Sequence, residues 1–130
     1  NSLGRSEDAL RASRRGIERA EREFARSPEN PRPAYFIATA AAKLGDMAKA
    51  DEWAERALAL APDDFLTLYN LVCFYSVRRD IERAFELLGR LLPRARSDML
   101  EWILTDSDLV PMHADPRWEI VRSAAKPSQS

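Results

Sequence analysis

The sequence predicts an all-α chain built from antiparallel helix hairpins, and three observations predict it. Small and apolar residues recur at helical spacing, as at Ala50, Ala54, Ala57 and Leu58. Eight prolines and four glycines leave little material for the glycine-rich turns that a hairpin sheet needs. Pro28, Pro62 and Pro93 fall where the periodic stretches end, as expected of residues that cannot continue a helix.

After a turn at Leu3-Gly4-Arg5, a long helix is expected from Ser6 to Arg26. Ala9, Ser13, Gly16 or Ile17, Ala20 and Phe24 lie on one face, with Glu18 and Arg22 as an i,i+4 pair on another. Ser27-Pro28-Glu29-Asn30-Pro31 breaks it. Asn30 can cap a second helix from about Pro33 to Leu44, with a proline in its first turn. Gly45 is placed to take the left-handed conformation that closes that helix, and Asp46 to cap a third from Met47 to Ala61. A fourth helix is expected over Phe65–Val77, and a fifth from the Asp80 cap to Leu92. Ser97 or Asp98 can cap a short helix through Trp102 and Leu104. The stretch TDSDLVPMHA reads as irregular, and Asp115-Pro116 signals a last helix that fades near Ala125. That makes about seven helices.

Composition narrows the function classes. Twenty basic against twenty-one acidic residues leave a net charge of −1, so no large field favours nucleic acid or an anionic membrane. The charge is uneven: residues 5–32 hold eight arginines and six acids, whereas residues 98–119 hold six acids and Arg117 as the sole cation. In the first helix Arg11, Arg14, Arg15, Arg19, Arg22 and Arg26 are interleaved with acids, which reads as a mixed solvated face. Cys73 is the single cysteine, so no internal disulfide framework exists and a reducing, cytoplasmic location is expected. No apolar run approaches the roughly 18 residues of a membrane span.

The hairpins recur. Asp46 and Asp80, Met47 and Ile81, Ala50 and Ala84, and Pro28 and Pro62 are each 34 residues apart. A helix-turn-helix unit of this period resembles the tetratricopeptide repeat. Ala38, Gly45, Ala50, Ala57 and Pro62 match the pattern in one repeat, and Leu68, Leu71, Tyr75 and Ala84 in the next, where Arg79 and Arg96 stand in place of the usual Gly and Pro. Gly4 and Ala9 precede Gly45 and Ala50 by 41 residues, a surplus of seven, or about two helical turns. The resemblance therefore divides the chain into an extended second helix of a truncated repeat (1–30), two repeats (31–64 and 65–96), a C-terminal capping segment (97–125) and a disordered tail (126–130). It implies an α-α superhelix ending in a C-terminal capping helix, with Trp102, Leu109 and Trp118 as anchors of that cap.

Asp106-Ser107-Asp108-Leu109-Val110-Pro111 followed by Asp115-Pro116-Arg117-Trp118 resembles the close of tetratricopeptide regions in bacterial signalling proteins, notably class III adenylate or guanylate cyclases and some serine/threonine kinases. The resemblance implies a non-catalytic interaction module from the C-terminal part of a larger bacterial protein. Its partner is a protein or peptide, or a second copy of itself. The alternative is a regulatory or dimerisation region of such a cyclase or kinase. By position in the repeat, the concave groove is lined by Tyr35, Thr39 and Ala42, and by Tyr69, Asn70, Cys73 and Ser76. Asn70 can bond a peptide backbone in both directions, and the tyrosines offer apolar area with a polar tip. Cys73 is weighed more heavily as a packing residue.

Catalytic and metal chemistry find little support. Asp106, Asp108, His113 and Asp115 lack the glycine and later glutamate of a calcium loop and any second His or Cys for zinc, and capping explains the aspartates. His113 has no nucleophile or orienting partner at a known spacing. Glycines at 4, 16, 45 and 89 form no phosphate loop. No cofactor, metal, nucleic acid or membrane partner is expected.

Overall fold

A computed structural model describes the backbone of residues 2–125 and the side chains from residue 7 onward. The described residues form helices and turns and contain no strand. None of these helices is long and apolar enough to cross a membrane. The expected tail at 126–130 lies outside the described residues. The chain divides into two compact units, residues 1–62 and 63–130.

The first unit contains α1 (Ser2–Arg26), α2 (Pro31–Lys43) and α3 (Met47–Leu60). Gly4 lies inside α1 rather than in a turn before it. A lone glycine in a helix costs only about 1 kcal/mol, too little to stop a helix flanked by good helix formers. Asn30 caps α2 by accepting from the Arg32 N–H at 3.1 Å. The helix starts two residues earlier than expected because Pro31 fits its first position, where no backbone donor is needed. Ala34, Ile37, Ala38 and Ala41 of α2 and Ala50, Ala54 and Ala57 of α3 have no exposed surface. Side chains this small let two helices approach closely. Leu58, expected on the same stripe, is only half-buried, and Trp53 takes its place. Its ring meets that of Phe24 edge-on at 5.0 Å.

The second unit contains α4 (Phe65–Val77), α5 (Ile81–Leu91), a 3-10 turn (Leu92–Arg94), α6 (Ser97–Thr105), a 3-10 segment (Ser107–Met112) and α7 (Trp118–Ala125). Buried residues cover more than half the circumference of α4, from Phe74 through Leu71, Leu68 and Val72 to Tyr69, so it needs cover on more than one side. α5 supplies Ala84, Leu87, Leu88 and Leu91, and the C-terminal 3-10 segment supplies Leu109 and Met112, both without exposed surface. The stretch expected to be irregular is thus ordered by its own apolar residues. α6 has no side-chain cap: it begins at Ser97, and Asp98 lies 3.7 Å from Arg96 instead. α7 starts at Trp118, because the Asp115-Pro116-Arg117 stretch turns before the helix begins. Leu109 and Trp118 are buried as anchors, but Trp102 is 58% exposed, and Leu100 and Ile103 fill the inner face of α6.

The two hairpins close alike. After α2, Gly45 donates to the Ala42 carbonyl and Asp46 to that of Ala41, both at 3.0 Å. After α4, Arg79 donates to Ser76 at 3.0 Å and Asp80 to Tyr75 at 2.9 Å. This paired arrangement requires a left-handed residue at its centre. Gly45 supplies it at φ 82, and Arg79 adopts it at φ 67 despite its Cβ. Asp46 and Asp80 then cap α3 and α5 through the N–H groups of Lys49 (3.2 Å) and Arg83 (3.3 Å).

Candidate partner-binding face

In the first unit Tyr35 and Ala42 are half-buried and Thr39 is exposed. Thr39 Oγ1 donates to the Tyr35 carbonyl at 3.1 Å, a local bond that leaves little of the hydroxyl for a ligand. Phe36, beside them, is 47% exposed. Its ring lies so close to Gly16 of α1 that a Cβ there would come within 2.8 Å of it.

In the second unit the chain itself takes up much of the α4 face. The Tyr69 hydroxyl donates to the Asp106 carboxylate. Cys73 Sγ lies 3.9 Å from Asp106 Oδ2, and Ser76 Oγ donates to the Asp108 carbonyl at 2.8 Å. Ser76 has no exposed surface and Tyr69 is almost fully covered. Asp106 also accepts from the Asp108 N–H at 2.9 Å, so it caps the 3-10 segment while holding that segment on α4. What stays open on α4 includes Leu66, 54% exposed, Val77, 57% exposed, and the half-buried Asn70, whose Nδ2 donates to the Leu66 carbonyl at 2.8 Å. Trp102 stands with its ring 5.4 Å from that of Tyr69.

The electrostatics favour neutral, quiet groups here. Burial, reinforced by the Asp106 hydrogen bond, pushes the Tyr69 hydroxyl well above the usual phenol range. Burial first, and then the negative charges of Asp106 and Asp108, push the Cys73 thiol up to about 12. A sulfur kept protonated in this way is a poor nucleophile. Ligand atoms of Cys73, Asp106 and Asp108 lie within 4.8 Å of one another. Both Asp106 oxygens, however, already accept hydrogen bonds, and a metal-binding sulfur must be deprotonated. The trio is better suited to holding the C-terminal segment than a cation.

The Asp115-Pro116-Arg117 sequence also works within the chain. Arg117 donates to Asp115 through Nε at 2.9 Å and Nη2 at 2.8 Å, and to both oxygens of Glu82 at 2.9 and 3.1 Å. Its guanidinium lies 4.6 Å over the Phe85 ring. Those bonds hold the Asp115 carboxyl at about 2, below its ordinary 3.8. His113 lies against Trp118, ring centres 4.4 Å apart. Its Nε2 is shut off from solvent with no hydrogen-bond partner among the described residues, so no side chain orients it as a base. In the first unit a depression of about 270 Å³ is lined by the charged residues Arg14, Glu18, Glu21, Asp46 and Lys49 together with Ile17, Ala41 and Leu44. The Lys49–Glu21 pair at 3.4 Å engages two of these lining charges.

Leu66, Phe36 and the outward turn of Trp102 did not figure in the expected face. Leu66 could have been found one helical turn before Asn70. The Asp106 and Asp108 contacts span more than thirty residues and leave no local signal. Compared with known proteins, no family model, curated protein or solved structure matches the chain.

Proposed function

We propose that the chain is a non-catalytic, tetratricopeptide-like interaction module that binds a protein or peptide partner, its hairpins belonging to a superhelical stack. The 34-residue period supports this reading, as do the two hairpin turns with the same bonds and the same aspartate caps. The observation that carries the binding role is a set of large apolar side chains left in solvent: Leu66, one turn before Asn70 on α4, and Trp102, whose ring lies 5.4 Å from that of Tyr69 on the same helix as Leu66. Aromatic anchors next to polar groups are the usual makings of an interface centre. Because Tyr69, Cys73 and Ser76 are engaged by Asp106 and Asp108, the contact surface on α4 is narrower than the repeat pattern alone implies.

Selection of a random peptide library on the immobilised protein tests the proposal. Selected peptides should bind saturably, and Trp102→Ala should weaken them by about 1–2 kcal/mol while leaving the circular dichroism unchanged. If no peptide is selected, or if Trp102→Ala and Leu66→Ser bind as well as the parent, this assignment of the surface fails.

A further inference from the structure

The charges of α1 read as interleaved along the sequence but separate on the helix. At 3.6 residues per turn Arg11, Arg15, Arg19, Arg22 and Arg26 fall within an arc of about 80°, and they run about 22 Å along the axis. All five are exposed. Among the described residues only Arg11 of the five has an ion-pair partner, Asp8 one turn away. Ile17 and Ala20, the buried residues of α1, lie on the opposite side. Asp8 lies within the same arc at its N-terminal end, and the remaining acids flank the stripe: Glu7, Glu18 and Glu21 along one edge and Glu23 along the other.

We propose that this arginine stripe is a docking surface for an acidic helix of a partner protein. It is separate from the α4 and α6 residues proposed above and does not depend on them. Two features select this occupant. Carboxylates at every third or fourth position of a helix repeat about every 5–6 Å, the same spacing as the arginines, whose planar forks each take a carboxylate in two hydrogen bonds. The stripe is also only as wide as one helix, about 10 Å. The flanking glutamates would repel a broader polyanion, such as a nucleic-acid duplex or an anionic bilayer, that had to rest on them as well.

The probe is a fluorescent alanine-based helical peptide with glutamate at every fourth position, followed by anisotropy. It should bind saturably at low salt and weaken toward physiological ionic strength, where the screening length is about 8 Å. Arg15→Gln with Arg22→Gln should lower affinity about tenfold. Arg14→Gln, which lies off the stripe, should leave it unchanged, and all variants should keep the parent circular dichroism. The proposal is overturned by any of four results: no saturable binding at low salt; equal weakening by the on-stripe and off-stripe variants; equally tight binding of an isomeric peptide with its glutamates scattered around the helix; or tighter binding of a single-stranded oligonucleotide or phosphatidylserine vesicles.

Discussion

At the scale of single residues, the two hairpin turns form a natural experiment. Gly45 and Arg79 occupy equivalent places at φ 82 and φ 67, and a side chain in the left-handed region costs about 1 kcal/mol relative to glycine. Arg79→Gly should therefore raise the stability of the protein by about 0.5–1 kcal/mol in urea unfolding. Gly45→Ala should lower it by about 1 kcal/mol, although nothing lies within 4 Å of the added Cβ. Effects of the same sign in the two variants, or none in either, would show that the turns are not conformationally matched. Gly45 was legible in the sequence because glycine signals its own backbone need. The strain at Arg79 was legible only as a departure from the repeat pattern.

Cys73 and Asp115 lead to pH-dependent expectations of opposite sign. The thiol is raised from its ordinary 9 to about 12. The folded state therefore holds its proton above pH 9, and the associated stability is present below that pH and fades as pH rises toward 12. Alkylation by iodoacetamide at pH 8 should be much slower than for a free thiol, and Asp106→Ala should speed it by removing both the charge and the cover. The Asp115 carboxyl is lowered to about 2, so its contribution is present above pH 4 and fades as pH falls toward 2. Carbon-detected NMR titration of Asp115 should place its midpoint in that lower range, and Arg117→Gln should raise it toward the ordinary one, the backbone N–H of residue 117 keeping part of the effect. An unshifted midpoint in the parent protein would contradict the Arg117 clamp.

At the scale of elements, the caps and breaks were readable because each rests on residues within four positions of one another. Asn30, Asp46 and Asp80 all cap the helices expected of them. The C-terminal third was harder to read. Its 3-10 segment is held by Leu109, Met112 and bonds from Tyr69 and Ser76, partners that no periodicity reveals. Trp102 was expected as an anchor of the capping segment, but the inner positions of α6 go to Leu100 and Ile103. The placement has a measurable consequence: Leu109→Ala should cost about 2–5 kcal/mol, whereas Trp102→Ala should change stability by less than about 1 kcal/mol. Thermal or urea unfolding of the two variants checks the contrast, and similar losses for both would place Trp102 in the core after all.

At the scale of the whole molecule, composition foretold the absence of strands among the described residues, since four glycines leave little material for hairpin turns. It could not show how charge is arranged. A net charge of −1 hides a helix whose arginines share one side and a C-terminal region rich in acids. With a sequence isoelectric point near 5.9, solubility should pass through a minimum close to pH 6 and recover on either side. Light scattering against pH would show this, and a featureless profile would argue against charge-driven association.

The seating of residues 106–112 on α4 also sets an order of events during synthesis. A ribosome makes α4 some thirty residues before the segment that accepts hydrogen bonds from Tyr69 and Ser76. The hairpin turns, closed by neighbours, can form at once, while α4 waits with one side uncovered. That interval is when the nascent chain is most open to chaperones and to premature association, and it ends when Leu109 arrives.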